Sequence, residues 1–597
     1  MLLGAPPNWD GVRVTALLNE LGVAHATARK KRGGAVAFVV FASASQRAAA
    51  DQTLTGHRLG TRKLALKDAN QKAGSGGRPI KAAADIDIRD VVTPLWRVPY
   101  ARQLADKAER LKGVLAKVAA GVAGAAGRER APEWARGEVP LVGILRSPST
   151  AAYRNKSEFT AGPTVSGAPG VGFNCGSFKD GLVEVLPADG TAHTSRVAVA
   201  LASSMTQHIC TASTLPAWDK RANKGFWRLL IVREGRRETL LPRPGADLSS
   251  PLPPPPAFAD LDWEAWLVRD PEGEAAAEAD ARSGAPPPDP AAGAASVPPP
   301  DMVAAVVQID PSAAPADVAA AELAALARAL RAAAAAAGAP APALAVQHHS
   351  GVSNAADEGA PLLPFPGEGG ESEGGAAGAD AGLPLGCITD TLCGLSFRVS
   401  PTSFFQVNSG AAAALYRLAV AWAAPAPGDA FLDVCCGTGA IGIAAAAVLK
   451  ARASSGDAPV SVAGVDIEPA AIRDARANAA ANGVAASTFV AGRAEDALDA
   501  LMQGAGLSKD GAKAIAVVDP PRAGLHARVL ASLRSCPAVR RIVYVSCNPE
   551  SMAADAAFLC ALAGGKRRGA PFALVRAAAV DLFPHTAHCE AVVLLER

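Results

Sequence analysis

Two short motifs near the C-terminus hold residues whose types and positions suit covalent chemistry. Residues 543–549 read Val-Tyr-Val-Ser-Cys-Asn-Pro, so Cys547 ends a strand-like apolar run just before a helix that starts with proline. Positive backbone dipoles at the start of a helix stabilise a thiolate. A cysteine with a purely structural role would instead be expected in the middle of a strand. Residues 581–590 end in Glu590, whose carboxyl group can remove a proton. We therefore predict Cys547 as a nucleophile and Glu590 as a proton acceptor.

A glycine turn lies upstream of these motifs. Residues 431–442 read Phe-Leu-Asp-Val-Cys-Cys-Gly-Thr-Gly-Ala-Ile-Gly, and a G-x-G-x-x-G pattern begins there with Gly437 and Gly439. Such a turn admits either the pyrophosphate of a dinucleotide or the aminoacyl and ribose parts of S-adenosylmethionine. Asp433 at the strand end would repel a pyrophosphate but suits an ammonium and a sulfonium, so the charge favours S-adenosylmethionine. We expect Asp466, at the tip of the next strand, to accept the ribose hydroxyls.

A third strand ends in residues 517–526, Val-Val-Asp-Pro-Pro-Arg-Ala-Gly-Leu-His. Its two prolines stiffen the chain, so we expect Asp519 to be fixed at the sheet edge beside the methyl donor. In amino-methyltransferases the comparable turn ends in an aromatic residue that stacks on the target base. Arg522 stands there instead, which argues against N-methylation and for chemistry that needs another nucleophile.

Composition narrows the range of partners. Lys and Arg number 59 against 56 Asp and Glu, so any nucleic-acid contact must use a local basic patch.

The ten cysteines form no C-x-x-C pair, which favours a reducing, intracellular compartment and leaves nucleus, cytosol and organelle open. His585, His588 and Cys589 suggest metal ligation, but no second ligand pair has zinc spacing, so we expect no metal. We expect no membrane association, because no uncharged apolar run has spanning length.

The elements that must position these motifs alternate over the last 170 or so residues. Apolar runs at 430–434, 462–465, 514–518 and 541–545 each lead into a polar or glycine turn and then a helical stretch. That alternation is typical of a doubly wound α/β domain with a mainly parallel sheet, whose ligands bind beyond the carboxyl ends of the strands. All the motifs above fall at those ends.

The upstream chain divides into three parts. We expect residues 1–72 to form an RRM-like α+β domain, with Phe38 at a base-stacking position but Val36 where a second aromatic is expected; a unit that only packs is the alternative. Residues 73–135 are expected to form a basic helical linker, either a flank for a phosphate backbone or a solvated face. Residues 136–400 are expected to form a β-rich central domain with mobile insertions at about 242–300 and 357–382. Its predicted strands lie at 141–145, 226–232, 302–309 and 344–348.

Together the C-terminal motifs resemble those of the S-adenosylmethionine-dependent RNA (uracil-5-)-methyltransferases. The likeness runs from Ser-Pro-Thr-Ser-Phe-Phe-Gln-Val-Asn at 400–408 to Glu590, with weaker similarity at 92–96, 153–159 and 349–354. It is greatest to the RRM-bearing eukaryotic-type branch, which makes 5-methyluridine in the tRNA T-loop. The four-cysteine pattern of iron–sulfur relatives and their N-terminal β-barrel module do not occur here, so we expect no iron–sulfur cluster.

The resemblance implies residue roles and a fold. Residues 401–597 should form a Rossmann-like (class I) methyltransferase domain, with Cys547 adding to C6 of a flipped uracil and Glu590 removing the C5 proton. Arg522 or Asn548 would bind the uracil carbonyls, and residues 153–156 would lie in the domain that presents the RNA. The residues implied to contact S-adenosylmethionine are Gln406, Cys435, Gly437, Ala440, Asp466 and Asp519, beside Asp433 and Gly439 from the glycine turn.

We expect a monomeric enzyme that acts on RNA, with tRNA as the first candidate. A uridine in ribosomal or messenger RNA, and an RNA-binding module with a vestigial methyltransferase domain, are the alternatives. A nucleotide-dependent oxidoreductase rests on the G-x-G-x-x-G match alone.

Overall fold

The computed structural model describes residues 2–6, 9–25, 27–30, 36–41, 43–59, 62–66, 83–127, 131–137, 140–176, 182–237, 263–281, 293, 297–351, 360–366, 383–454, 459–562, 564 and 568–597. These fall into two compact units, Met1–Lys81 and Ala82–Arg597. The helices are α1 (Gly11–Glu20), α2 (Ala44–Leu54), α3 (Ile88–Val92), α4 (Tyr100–Ala126), α5 (Arg196–Thr211), α6 (Pro271–Ala281), α7 (Ala316–Ala336), α8 (Ser409–Ala423), α9 (Ala440–Arg452), α10 (Pro469–Ala481), α11 (Ala494–Gly504), α12 (Ala527–Ser535) and α13 (Pro549–Cys560). The strands are β1 (Leu2–Leu3), β2 (Thr27–Arg29), β3 (Val36–Val40), β4 (Arg58–Leu59), β5 (Arg62–Lys63), β6 (Ala65–Leu66), β7 (Leu141–Leu145), β8 (Lys156–Pro163), β9 (Pro169–Asn174), β10 (Val185–Leu186), β11 (Trp227–Gly235), β12 (Leu267–Val268), β13 (Met302–Ile309), β14 (Ala343–His348), β15 (Leu362–Pro364), β16 (Ile388–Leu392), β17 (Leu395–Val399), β18 (Ala430–Val434), β19 (Ser461–Asp466), β20 (Ser487–Ala491), β21 (Ala514–Val518), β22 (Val539–Ser546), β23 (Ala573–Val580) and β24 (Glu590–Glu596).

The first unit is a small sheet with two helices. Its strands follow the order β2-β3-β1-β6, and each neighbouring pair is antiparallel. The side chains of Asp10 and Ser43 accept backbone hydrogen bonds at the starts of α1 and α2, which fixes where both helices begin. Alternate residues of β3 face opposite sides, so Ala37 is buried in the core while Phe38 is 51% exposed. The strand β2 is an element that the sequence pattern did not predict.

The second unit contains a nine-stranded sheet in the order β12-β7-β23-β24-β22-β21-β18-β19-β20. Strands β18 to β22 pair in parallel, and β24 runs antiparallel between β22 and β23. Helices cover both faces, and each face has its own buried cluster of apolar side chains. The predicted doubly wound sheet is confirmed, and the reversed β24 gives it the order of the Rossmann-like class I methyltransferase fold.

Helix α4 belongs to this α/β domain. Leu111, Leu115 and Val118 are buried in the same apolar cluster as β21 and β22. Its cations have partners within the unit, since Lys107 forms a buried ion pair with Asp581 and other basic side chains pair with acidic neighbours. The prediction of a basic linker over 73–135 is corrected accordingly for 100–126, while 73–82 and 128–130 lie outside the described residues. The amphipathic pattern was real, but its apolar stripe is wide enough to pack against a sheet.

A second sheet of the same unit has seven strands in the order β10-β9-β8-β11-β13-β14-β15. Helices α5 and α7 pack together against it and share one apolar cluster with its strands. The predicted strands near 226–232, 302–309 and 344–348 lie in this sheet as β11, β13 and β14. The predicted strand at Leu141–Leu145 does not: as β7 it pairs with β23 and β12 in the nine-stranded sheet.

The prediction of a mobile insertion over 242–300 is wrong for its middle part. Strand β12 pairs with β7, and Trp266, which precedes it, is 5% exposed in the large core. Helix α6 then packs on α4, and the Glu278 carboxylate accepts a hydrogen bond from the backbone N–H of Ala101. This carboxylate from α6 satisfies one of the N–H groups at the start of α4 that the helix itself leaves unpaired. The rest of the two predicted insertions lies largely outside the described residues, apart from short pieces that include β15.

Among the described helices, none has both the length and the apolar character needed to cross a bilayer.

Replacing Trp266 with alanine tests whether the segment 263–281 is part of the fold. We expect the variant Trp266→Ala to lose about 3–5 kcal/mol of unfolding free energy, because it empties a buried aromatic site. Leu363→Ala, at a side chain that is 36% exposed, serves as the control and should lose no more than about 1 kcal/mol. Urea unfolding measures both. An unchanged midpoint for Trp266→Ala would mean that this segment does not pack.

Candidate active site

The pairing register of β22 with β24 brings the predicted nucleophile and proton acceptor together. In this antiparallel pair the register ends with Ser546 opposite Ala591, so Cys547 follows the end of β22 where Glu590 begins β24, and the charge of Glu590 acts on the Cys547 thiol. Both side chains line the same cavity. Asp519 follows the tip of β21, the next strand on the other side of β22. The three predicted groups therefore meet at one edge of the sheet.

A cavity of about 900 Å³ opens at that edge. Its walls come from the segment before α8 and from the turns that follow β18, β19, β20, β21 and β22. Gly439 is absent from the wall: it begins α9 with a φ of +76°, and a Cβ there would meet the Phe489 ring at 3.0 Å. The predicted residues that do line the cavity are Gln406, Asp433, Cys435, Gly437, Ala440, Asp466, Asp519, Cys547 and Glu590.

The glycine turn is held open by its neighbour strand. The backbone N–H of Gly437 donates to Asp466 Oδ2 at 2.9 Å, and the N–H of Glu468 donates to Asp466 Oδ1 at 2.9 Å. A Cβ on Gly437 would find only the Phe404 carbonyl oxygen, at 3.8 Å, so open space lies in front of this glycine. Asp466 is half-buried, and each of its oxygens retains a lone pair for a ligand hydroxyl.

Asp433 is buried behind the turn with one oxygen unsatisfied. Its Oδ2 accepts a hydrogen bond from the Gly442 N–H at 2.9 Å, while Oδ1 has no hydrogen-bond partner among the described residues. Burial raises the pKa of Asp433 to about 7, and the nearby Asp466 adds to the rise. An unsatisfied buried oxygen of this kind is suited to a cationic hydrogen-bond donor.

Asp519 and Glu590 continue this line of carboxyl groups. Burial, then the charges of Asp433 and Asp466, raise the pKa of Asp519 to about 7. Burial and then Asp519 raise the pKa of Glu590 well above its ordinary range, while Arg522 opposes that rise. Glu590 is 2% exposed, and its Oε2 has no hydrogen-bond partner within the described part of the chain. The cavity therefore favours a positively charged ligand, whose binding would lower these pKa values.

The environment of Cys547 differs from the sequence-based expectation. The side chain is half-buried, and burial, followed by the charges of Glu590 and Asp519, raises the pKa of its thiol. Arg522 and the backbone lower that pKa, but they do not outweigh the burial. The expected stabilisation by the start of α13 is therefore insufficient by itself. A thiolate at this position requires that its carboxyl neighbours be protonated or neutralised.

Several residues that line the cavity were not predicted from the sequence. Phe404 and Ile467 are apolar but 68% and 64% exposed, and both line the cavity. The position of the apolar Ile467 directly after Asp466, at the end of a strand, could have indicated a ligand-binding surface from the sequence. Tyr416 reaches the cavity from α8, where its helical spacing looked like ordinary core. Of the two residues predicted to bind the uracil carbonyls, Arg522 lines the cavity, whereas Asn548 is absent from its lining and donates its side-chain N–H to the Arg522 carbonyl at 2.8 Å.

The motif at 153–156 packs against the site. The side chain of Asn155 donates to the Gln406 carbonyl at 2.9 Å, and its backbone N–H donates to the Val407 carbonyl at 2.8 Å. The Tyr153 hydroxyl donates to the Pro584 carbonyl at 3.1 Å. These residues hold the segments that carry Gln406 and Glu590. In the described parts of the chain, no three His, Cys, Asp or Glu side chains gather into a group that could hold a metal ion.

Comparison with known proteins agrees with this geometry. A family model described as tRNA (Uracil-5-)-methyltransferase matches residues 392–597. The human tRNA (uracil-5-)-methyltransferase homolog A is 31% identical over 581 residues, which cover 94% of this chain and 76% of the human protein. The chain belongs to the tRNA (uracil-5-)-methyltransferase family. It is an enzyme of the methyltransferase class, and the oxidoreductase alternative is not supported.

Other relatives give the same breadth of match. The mouse tRNA (uracil-5-)-methyltransferase homolog B is 30% identical, with 85% of each chain covered. An Arabidopsis thaliana protein named Zinc finger CCCH domain-containing protein 24 is 30% identical, with all of this chain and 79% of the relative covered. The solved Pyrococcus abyssi tRNA (uracil-54, C5)-methyltransferase with S-adenosyl-L-homocysteine aligns with 85% of this chain and 86% of its own, at 20% identity and a TM-score of 0.49.

Because the pKa of Asp519 is raised, we expect replacement of this carboxyl group by a neutral amide to increase the free energy of unfolding. The pKa of Asp519 is raised from 3.8 to about 7. The fold therefore has its full stability below pH about 4, where this carboxyl group is protonated. That stability is lost as the pH rises towards 7 and the group must ionise. We expect Asp519→Asn to be more stable than the parent protein at pH 8, by up to about 4 kcal/mol, with a gap that shrinks towards pH 4. Urea unfolding of the ligand-free protein at several pH values measures the gap.

The exposed Asp510 provides the matched control, since Asp510→Asn should change stability little at any of these pH values. Equal stability of Asp519→Asn and the parent at pH 8 would contradict the burial of a strained carboxylate.

Proposed function

We propose that this enzyme transfers a methyl group from S-adenosylmethionine to C5 of a uridine in the T-loop of tRNA, through a covalent bond between Cys547 and C6 of the base. The observation that carries the proposal is that Cys547, just after β22, and Glu590, at the start of β24, line one cavity together with three aspartates. The family supports an RNA substrate and the methylated position on uracil. The T-loop rests on the resemblance of the motifs to the branch with that specificity.

The cavity suits S-adenosylmethionine group by group. The unsatisfied Asp433 Oδ1 and the Asp519 carboxyl group are acceptors for an ammonium, and they offset the charge of a sulfonium. The lone pairs of Asp466 suit the ribose hydroxyls, and the exposed Phe404 and Ile467 offer apolar surface for a nucleoside base. When bound, S-adenosylmethionine supplies an electrophilic methyl group on sulfur.

Cys547 makes the base reactive. Uracil C5 is too weak a nucleophile to take a methyl group unaided. The Cys547 thiolate donates an electron pair to C6 and forms a C–S bond, and the electrons of the C5–C6 double bond move onto C5 and the C4 oxygen as an enolate. Glu590 in its protonated form leaves the thiolate without a second negative charge beside it, which is consistent with the raised pKa of that carboxyl.

The enolate electron pair on C5 would then form the bond to the methyl group as the bond from that methyl group to the sulfonium sulfur breaks, which would leave S-adenosylhomocysteine. Glu590 completes the reaction. Its carboxylate accepts the C5 proton, the electrons of that C–H bond restore the C5–C6 double bond, and the C–S bond breaks to return the thiolate. The carboxyl group must therefore give up its own proton to solvent before this step. Arg522 lowers the pKa of Glu590 and is exposed at the cavity, so it favours this change.

The N-terminal unit is proposed to be an RRM that binds RNA. Its β-α-β-β-α-β order and the sheet order β2-β3-β1-β6 fit that domain, and the exposed Phe38 offers a ring for base stacking. A monomer is sufficient for the reaction, because one chain supplies Cys547, Glu590 and the cavity carboxylates. We place the enzyme inside the cell because its ten cysteines are free thiols, as is usual in a reducing compartment.

Cys547→Ala should abolish formation of 5-methyluridine, because it removes the thiol that adds to C6 of the base. Transfer of a labelled methyl group to a tRNA transcript measures the loss. Cys536→Ala, at a partly exposed cysteine away from the cavity, is the control and should retain activity. Full turnover by Cys547→Ala would remove the covalent mechanism.

Glu590→Gln should still form the covalent bond and methylate the base but fail to remove the C5 proton. A protein–RNA complex that survives denaturing electrophoresis should then accumulate. If this variant turns over no substrate and no such complex appears, another group removes the proton.

Nucleoside mass spectrometry distinguishes the possible substrates. Cells that lack this protein should lose 5-methyluridine from tRNA digests, and a plasmid copy with intact Cys547 should restore it. Loss from ribosomal or messenger RNA alone would favour those alternatives, and no loss from any RNA would favour a non-catalytic RNA-binding role.

A further inference from the structure

The loop between β23 and β24 ends at Glu590, and its backbone carbonyls accept hydrogen bonds from residues that are distant in sequence. The carbonyl of Leu582 accepts a hydrogen bond from Asn408 at 3.1 Å, and that of Pro584 accepts one from Tyr153 at 3.1 Å. The carbonyl of Ala587 accepts one from Arg110 of α4 at 3.2 Å. A short loop whose successive carbonyls are taken by other elements has its course set by those elements.

Gln103 of α4 makes the densest of these contacts. Its side-chain oxygen accepts a hydrogen bond from the His585 N–H at 2.7 Å, and its Nε2 lies 3.1 Å from His585 Nδ1. The same Nε2 donates to the Val98 carbonyl at 2.8 Å, and the Leu95 N–H donates to the His585 carbonyl at 2.9 Å. His585 has a φ of +64°, a conformation that a non-glycine residue adopts only when its surroundings impose it.

Lys107, one helical turn further along α4, anchors the start of the loop. Its ammonium lies 2.7 Å from Asp581 Oδ1 and donates to the Phe583 carbonyl at 3.1 Å. Both side chains of this ion pair are almost fully buried, at 2% and 0% exposure. A buried ion pair is a weak source of net stability compared with an apolar pair, but it fixes direction and distance.

We propose that Lys107 and Gln103 are positioning residues for the reaction: they set the loop geometry that aims Glu590 at the C5 proton. The proposal rests on the function proposed above, because it assigns the removal of that proton to Glu590. Neither side chain lines the cavity, so they act through the loop alone. An error of about 1 Å in the placement of a catalytic group is enough to lower a rate about 100-fold.

The test compares Lys107→Met with Lys117→Met, which removes a solvent-exposed ion pair from the same helix. For Lys107→Met we expect 5-methyluridine formation to fall about 100-fold, unchanged binding of S-adenosylhomocysteine, and accumulation of a covalent protein–RNA complex, because the step before proton removal survives. Lys117→Met should behave as the parent. Turnover by Lys107→Met within twofold of that control, or a loss of turnover with no covalent complex, would overturn the proposal.

A double variant separates positioning from simple stability. Lys107→Met with Asp581→Leu leaves no unpaired buried charge, so it should fold even if Lys107→Met does not. If the pair positions Glu590, the double variant regains the thermal stability of the parent but not its turnover, and it still accumulates the covalent complex. Recovery of both stability and turnover would show that the pair only stabilises the fold.

The parent enzyme is assayed in parallel, so a failure of the proposed function is distinguishable. Absence of 5-methyluridine with the parent counts against that function, and full activity of the variants beside an active parent counts against the positioning role alone.

Discussion

The antiparallel register between β22 and β24 is the constraint on which the site depends. Side chains along both strands alternate between the two buried clusters: Val543 and Val545 join one, and Ile542 and Tyr544 join the other. Because both faces of the sheet are buried, a slip of one residue would exchange the two sets and disrupt both cores. The hydrophobic packing of a whole domain therefore fixes the place of Cys547 near Glu590.

Charge is the second constraint, and it works against stability. Asp433 and Glu590 are buried and Asp519 is half-buried at one edge of the sheet, where burial and neighbouring carboxyl groups raise the pKa of each. A fold selected for stability alone would place neutral or apolar groups there. The arrangement is reasonable for a site that receives a cation, because the ligand supplies the missing positive charge and changes the protonation of Glu590 and Cys547 as it binds.

The sequence was most informative where a motif coincides with a strand tip. Asp433, Asp466, Asp519 and Cys547 each follow an apolar run, and parallel strands bring their carboxyl ends to one edge, so their convergence was predictable. The raised thiol pKa of Cys547 was not, since it depends on neighbours distant in sequence.

Two elements, helix α4 and the segment around Trp266, were predicted incorrectly because their structure depends on contacts with distant parts of the chain. Helix α4 carries enough charge to resemble a solvated linker, yet its basic residues meet acidic partners far along the chain, as Lys107 meets Asp581. The segment around Trp266 lies in a Pro- and Ala-rich stretch whose composition suggested mobility. Its short strand and helix are stable because they complete an edge of the nine-stranded sheet and the start of α4.

The central claim is that the Cys547 sulfur bonds to C6 of the target uridine. A tRNA containing 5-fluorouridine tests it directly, because fluorine replaces the C5 hydrogen and cannot leave as a proton does. We predict that the parent enzyme and S-adenosylmethionine form a stable complex with this RNA, and that mass spectrometry of the digested complex finds the methylated fluoronucleotide on the peptide containing Cys547. A link to a different residue, or no stable complex beside normal methylation of unmodified tRNA, would contradict the account.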